Sequence, residues 1–191
     1  MSAGTSQSFG MSLFVLGGAR SGKSRHAQAV AEAVAEPREG ASIGARLVYI
    51  ATAQAFDAEM RDRIARHQSD RDARWRTVEA PLDLSGTLRR VDGTDVVILV
   101  DCLTLWLSNL VLDDADIDAE VAELLATLAR LEARIVLVST EVGLGIVPDN
   151  ALARRFRDAA GLLHQRLAAQ VDSVDVVVAG LVQRWKTFVG S

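Results

Sequence analysis

A chain of 191 residues with 49% apolar and 24% charged residues has the size and composition of one globular unit, which excludes a fibrous repeat or a largely disordered chain. The net charge of −4, with 25 acidic residues spread along the sequence, argues against a partner held by phosphate-backbone electrostatics, so no nucleic-acid partner is expected. One cysteine, Cys102, excludes an intramolecular disulfide. The first ten residues show neither a basic n-region nor an apolar h-region, and no run approaches the roughly 20 apolar residues of a membrane span. The expectation is a cytoplasmic protein with a flexible tail over residues 1–11 and a single nucleotide-binding catalytic domain over residues 12–191, the nucleotide being argued next.

Residues 13–16 form the first short apolar run, and its composition predicts a strand buried on both faces. Directly after it comes Gly17-Gly18-Ala19-Arg20-Ser21-Gly22-Lys23-Ser24, which fits G-x-x-x-x-G-K-[ST]. Glycines let backbone N–H groups curl around phosphate oxygens, and a helix beginning at the end of the motif adds about half a positive charge. Lys23 can reach the β and γ phosphates, and the Ser24 hydroxyl can ligate Mg²⁺. The lysines of this chain are Lys23 and Lys186 among mostly arginine cations, so a lysine at this position is informative. A glycine-rich turn without a ligand is the plainer alternative; the strand before the motif and the helix after it favour the phosphate loop.

Ala27, Val30, Ala31 and Val34 recur at helical spacing, predicting a helix over residues 23–36 that stops before Pro37. A loop follows over residues 39–44, and then a second buried run over residues 47–50. Phe56, Met60, Ile64 and His67 mark one stripe of a further helix. On it, Arg63, His67 and Arg71 stand at successive i, i+4 positions, which sets an imidazole near two guanidinium groups. Such arginines lower an imidazole pKa and hold a phosphate chain, so neutral His67 can attack an α-phosphate, expel pyrophosphate and carry the nucleotidyl group. The same spacing fits a histidine that completes the apolar stripe, and spacing alone does not separate the two.

The third run, residues 96–100, ends in Asp101, an acid at a strand's C-terminal end that can hold the Mg²⁺ shell through water. Leu103, Trp106, Leu107 and Leu110 predict a helix; residues 120–132 and 151–171 have helical character; residues 135–138 and 176–179 read as strands. His26 follows the phosphate loop closely, and His164 lies in a long polar helix with no evident partner. Buried strands alternating with helices define the class α/β, a mainly parallel sheet with helices on both faces.

The ordered blocks of the chain resemble a known family. They are Gly17-Gly18-Ala19-Arg20-Ser21-Gly22-Lys23-Ser24-Arg25, Tyr49-Ile50-Ala51-Thr52-Ala53, Glu59-Met60-Arg61, Arg63-Ile64, His67, Arg71, Trp75-Arg76-Thr77-Val78-Glu79 and Asp101-Cys102-Leu103-Thr104. Glu141-Val142-Gly143-Leu144-Gly145-Ile146-Val147-Pro148 and Arg154-Arg155-Phe156-Arg157-Asp158 continue the likeness. The family is the bifunctional adenosylcobinamide kinase and adenosylcobinamide-phosphate guanylyltransferase. The resemblance implies a RecA-like P-loop NTPase fold and a homotrimer. It also implies phosphorylation of adenosylcobinamide by ATP or GTP, and GMP transfer from GTP through a guanylylated histidine to give adenosylcobinamide-GDP.

Carried over position by position, Gly17 to Ser24 bind the triphosphate with Ala51, Thr52 and Ala53 beside it, and Glu79 and Asp101 contact nucleotide or metal. His67 is the expected GMP acceptor, followed by the expected contacts Gln68, Ser69, Asp70 and Arg71. Two positions depart from relatives: Arg66 stands where some have a first histidine before His67, and His164 where a common residue is Asn. Two other readings fit the phosphate loop itself: a small-molecule kinase without guanylyltransferase activity, and a RecA-like ATPase that uses hydrolysis as a binding switch.

Overall fold

The computed structural model describes residues 11–37, 44–54 and 73–187. In chain order these form β1 (Ser12–Gly17), α1 (Lys23–Ala35), β2 (Arg46–Ala51), β3 (Trp75–Glu79), α2 (Leu84–Val91), β4 (Val96–Asp101), α3 (Leu103–Leu112), α4 (Ile117–Leu128), β5 (Arg134–Thr140), α5 (Ala151–Gln170), β6 (Ser173–Val178) and β7 (Leu181–Lys186). The strands make one seven-stranded sheet in the order β3-β2-β4-β5-β1-β6-β7. All neighbours are parallel except β6 and β7, which form an antiparallel hairpin at one edge. This is the α/β class expected, consistent with a P-loop NTPase.

Strand periodicity divides the core into two layers. Phe14, Val48, Ile98, Val100 and Leu137 point to one face, under α2, α3, α4 and α5. Leu13, Val15, Leu47, Leu99 and Val138 point to the other, under α1. Helix α1 meets that face with Ala27, Ala31 and Ala35 at four-residue spacing, so small side chains let it lie close to the strands. Trp106, fully buried on α3, donates its indole N–H to the Leu82 carbonyl at 2.8 Å, satisfying the polar atom of the largest core side chain.

The five apolar runs read from the sequence are β1, β2, β4, β5 and β6, the last beginning at Ser173 rather than at residue 176. The helix read at residues 120–132 starts earlier, at Ile117, because Asp116 caps it through Ala119 N–H at 3.1 Å. Strands β3 and β7 and helix α2 are additional. The helix expected around His67 lies outside the described residues.

Candidate active site

The phosphate motif occupies the turn from β1 into α1. Gly22 caps α1 at φ +96°, a left-handed conformation that glycine adopts without strain, and Arg20 also has positive φ, +54°. Gly17 is required for another reason: a Cβ there would lie 2.5 Å from the Val177 carbonyl oxygen of β6. At Gly18 a Cβ would meet no protein atom within 4 Å, so the space above it is open to a ligand. The loop is braced from two sides, by Gly180 N–H donating to the Ser21 carbonyl at 2.8 Å and by Glu141 N–H donating to the Gly17 carbonyl at 3.1 Å. Lys23, the first residue of α1, donates from Nζ to the Gly18 carbonyl at 3.1 Å. Ser24 follows in the same first turn.

The C-terminal ends of the parallel strands meet at this loop, the edge of an open α/β sheet where ligands bind. Glu79, Ala51 and Asp101 fall in one register row across β3, β2 and β4. The row continues to Val138 of β5 and Val15 of β1. Strand alternation therefore sets Asp101 on the α1 side of the sheet, the side from which Lys23 and Ser24 start. The Cys102 thiol registers the local charges: burial pushes it up to about 11, Asp101 adds to the rise, and Lys23 opposes it. A free thiolate nucleophile is thereby excluded at neutral pH.

Thr52 has a structural use. Its buried hydroxyl donates to the Cys102 carbonyl at 2.7 Å and accepts from Cys102 N–H at 3.0 Å, and its own carbonyl accepts from Asn109 Nδ2 at 2.8 Å. The ends of β2 and β4 and helix α3 are thus locked beside the phosphate loop. Ala53 follows immediately. His67, Gln68, Ser69, Asp70 and Arg71 lie outside the described residues.

Two polar networks near the loop had no role in the sequence reading. His26, in the first turn of α1, pairs with Asp175 of β6 at 2.8 Å, and Arg184 of β7 bonds the same carboxylate through two nitrogens. Burial would raise the Asp175 pKa, but Arg184 and His26 overcome it and hold the carboxyl below its ordinary value. His164 is buried rather than solvated. Its Nε2 lies 2.8 Å from Ser139 Oγ, which lies 2.8 Å from Thr104 Oγ1, and that oxygen accepts from Thr140 N–H at 2.6 Å. Ser139, Thr140 and Glu141 close an apolar run as Asp101 closes the run before it, a signal by which they could have been singled out.

Ser24 and Asp101 offer hard oxygen donors, and no cluster of three or more His, Cys, Asp or Glu side chains capable of holding a metal exists among the described residues. Two hard oxygen donors of this kind fit Mg²⁺, which keeps waters and takes phosphate oxygens with one or two protein ligands.

The fold and loop define a P-loop protein built to use a nucleoside triphosphate. Residues 13–185 match the profile of the cobinamide kinase / cobinamide phosphate guanyltransferase family, to which this chain belongs. The chain is 50% identical to the bifunctional adenosylcobalamin biosynthesis protein CobP of Pseudomonas aeruginosa over 169 residues, covering 87% of this chain and 92% of that protein. It is 42% identical to the bifunctional adenosylcobalamin biosynthesis protein CobU of Salmonella typhimurium and 41% identical to that of Escherichia coli, each over 90% of this chain and 97% of the relative.

Proposed function

We propose that this protein phosphorylates adenosylcobinamide and then converts the product to adenosylcobinamide-GDP. Family membership across residues 13–185 carries this reading, and the phosphate loop at the sheet's C-terminal edge supports it. In the first reaction, the aminopropanol hydroxyl of adenosylcobinamide attacks the γ-phosphorus of ATP or GTP. The bond from the γ-phosphorus to the bridging oxygen breaks, the nucleoside diphosphate leaves, and the hydroxyl proton passes to solvent. Lys23 exchanges the Gly18 carbonyl for β and γ phosphate oxygens, and the loop N–H groups of residues 17–24 hold the chain. Ser24 and Asp101 would hold Mg²⁺, which when bound would neutralise phosphate charge there.

In the second reaction, an imidazole nitrogen of His67 attacks the α-phosphorus of GTP and pyrophosphate leaves, giving a phosphoramidate. A phosphate oxygen of adenosylcobinamide phosphate then attacks that phosphorus and releases His67. Gln68, Ser69, Asp70, Arg71 and Glu79 serve as further nucleotide contacts, as do Ala51, Thr52 and Ala53.

The assembly in this reading is a homotrimer, with no nucleic-acid partner and a cytoplasmic site of action. Exposed Leu181, Val182 and Trp185 on the edge strand β7 support self-association, and the stoichiometry of three comes from the family resemblance. No helix among the described residues is long and apolar enough to cross a membrane.

The test uses the purified protein and His67→Ala with Mg²⁺ and GTP labelled on the α-phosphate, followed by denaturation. Acid-labile, base-stable label on the wild type and none on the variant is expected, and a parallel incubation of the wild type with adenosylcobinamide, Mg²⁺ and GTP should give adenosylcobinamide phosphate and adenosylcobinamide-GDP by mass spectrometry. Label that persists in His67→Ala transfers the nucleophile's role to another residue, and absence of both products rejects the function.

A further inference from the structure

The phosphate loop and the strand ends beside it present polar groups, yet the proposed acceptor is a large, flat, mainly hydrocarbon macrocycle. One segment next to the loop has the opposite character. The chain leaves β5 beside the phosphate loop, with Glu141 N–H on the Gly17 carbonyl at 3.1 Å, and runs through residues 141–149 to Asn150, the cap of α5. Both ends of this segment are tied. Gly143 N–H donates to the Glu141 carboxylate, and the Arg154 guanidinium donates to the Pro148 and Asp149 carbonyls at 2.9 and 2.7 Å. Between the ties, Leu144 is 92% exposed, Ile146 97% and Val147 61%.

Single exposed aliphatic residues need no explanation. Three within four positions, on a loop fastened at each end at the ligand-binding edge of the sheet, form a contact surface. We propose that residues 144–147 are the apolar part of the acceptor subsite, packing on a face of the corrin ring while its hydroxyl-bearing arm reaches the phosphate loop. This assignment rests on the function proposed above. Self-association is already assigned to the exposed edge strand β7, with Leu181, Val182 and Trp185, whereas the tip lies on the chain leaving β5 beside the phosphate loop. A small ligand fits it well, since apolar surface with a few flanking polar groups is how such ligands are held. The charges agree as well: an alkylcobalt(III) corrinoid is a cation, and the tip is flanked by Glu141 and Asp149.

The experiment compares the full-length wild type with the double variant Leu144→Ser, Ile146→Ser, whose changes fall on solvent-exposed side chains and leave the core intact. Equilibrium dialysis with adenosylcobinamide, read by corrin absorbance, is combined with kinase KM values for acceptor and triphosphate and with sedimentation. The expected result is a rise of about tenfold in the acceptor Kd and KM, with the triphosphate KM and the sedimenting mass unchanged. Unaltered acceptor affinity overturns the subsite. So does a changed mass, which makes the tip a contact between copies. A wild-type protein that neither binds nor phosphorylates adenosylcobinamide rejects the function itself and the subsite with it.

Discussion

His26 Nε2 lies 2.8 Å from Asp175 Oδ2 across 149 positions of sequence, joining the first turn after the phosphate loop to strand β6. Asp175 pairs in register with Val15 of β1, so its side chain rises on the α1 face, where its own side chain is only 1% exposed. An ionised carboxylate at that depth is stable only because Arg184 and His26 both bond to it.

Asp175→Asn keeps the shape and removes the charge. Because His26 and Arg184 retain some solvent contact, the expected cost is about 2 kcal/mol at neutral pH, below that of breaking a fully buried pair. The Asp175 carboxyl titrates below its ordinary value, so its stabilisation is present above the unfolded pKa of about 4 and is lost as pH falls through the folded pKa. Urea unfolding at pH 7 and at pH 3 should therefore show a large gap between wild type and variant that narrows on acidification. A gap of constant size removes the charge from the explanation.

How much of this was legible in the sequence follows from how local each feature is. The phosphate loop, Lys23 and Asp101 stand within or immediately after Val, Ile and Leu runs, and strands buried on both faces leave that mark directly. Strand β3 reads Trp75-Arg76-Thr77-Val78-Glu79 and forms a sheet edge where polar residues are tolerated; β7, at the other edge, is mostly exposed. Helix α2 spans eight residues with Gly86 inside, too short for periodicity, and is signalled mainly by the Asp83 carboxylate that caps Gly86 N–H at 2.8 Å. The pairing of His26 with Asp175, and the bracing of Ser21 by Gly180, need the strand order β5-β1-β6, which no local pattern contains.

The surroundings of His164 give this buried imidazole a measurable effect on stability. It packs on Phe14 with ring centroids 5.6 Å apart and bonds to Ser139. Burial lowers its pKa, and Glu141, with Oε2 3.8 Å from Nδ1, opposes the shift without reversing it. The unfolded chain then takes up a proton at higher pH than the folded one. Stability from this group is present above the unfolded pKa of about 6.5 and is lost as pH falls through the folded pKa. His164→Asn should cost about 1 kcal/mol at pH 7.5 through lost packing and a weakened hydrogen bond, while its Tm falls less than that of the wild type between pH 7.5 and 5.5. Parallel Tm curves over that interval would assign the acid sensitivity to other groups.

Lys23 offers the sharpest division between structure and chemistry in the phosphate loop. Its Nζ donates to the Gly18 carbonyl at 3.1 Å, joining positions five apart in a turn that Gly180 and Glu141 already brace by backbone bonds. Lys23→Ala should therefore shift Tm little, since it removes one partly exposed charge and no core packing. Its effect on turnover should be large: a positive charge aimed at phosphate oxygens in the transition state contributes a factor of about 100 or more. Lys23→Arg should recover only part of this, because a planar guanidinium cannot take the place of a compact ammonium threaded through a tight loop. Kinase kcat/KM for ATP and for GTP, measured beside thermal unfolding, checks both halves. A variant that loses stability and activity in proportion makes Lys23 a brace for the loop, whereas lost turnover at unchanged Tm makes it a phosphate ligand.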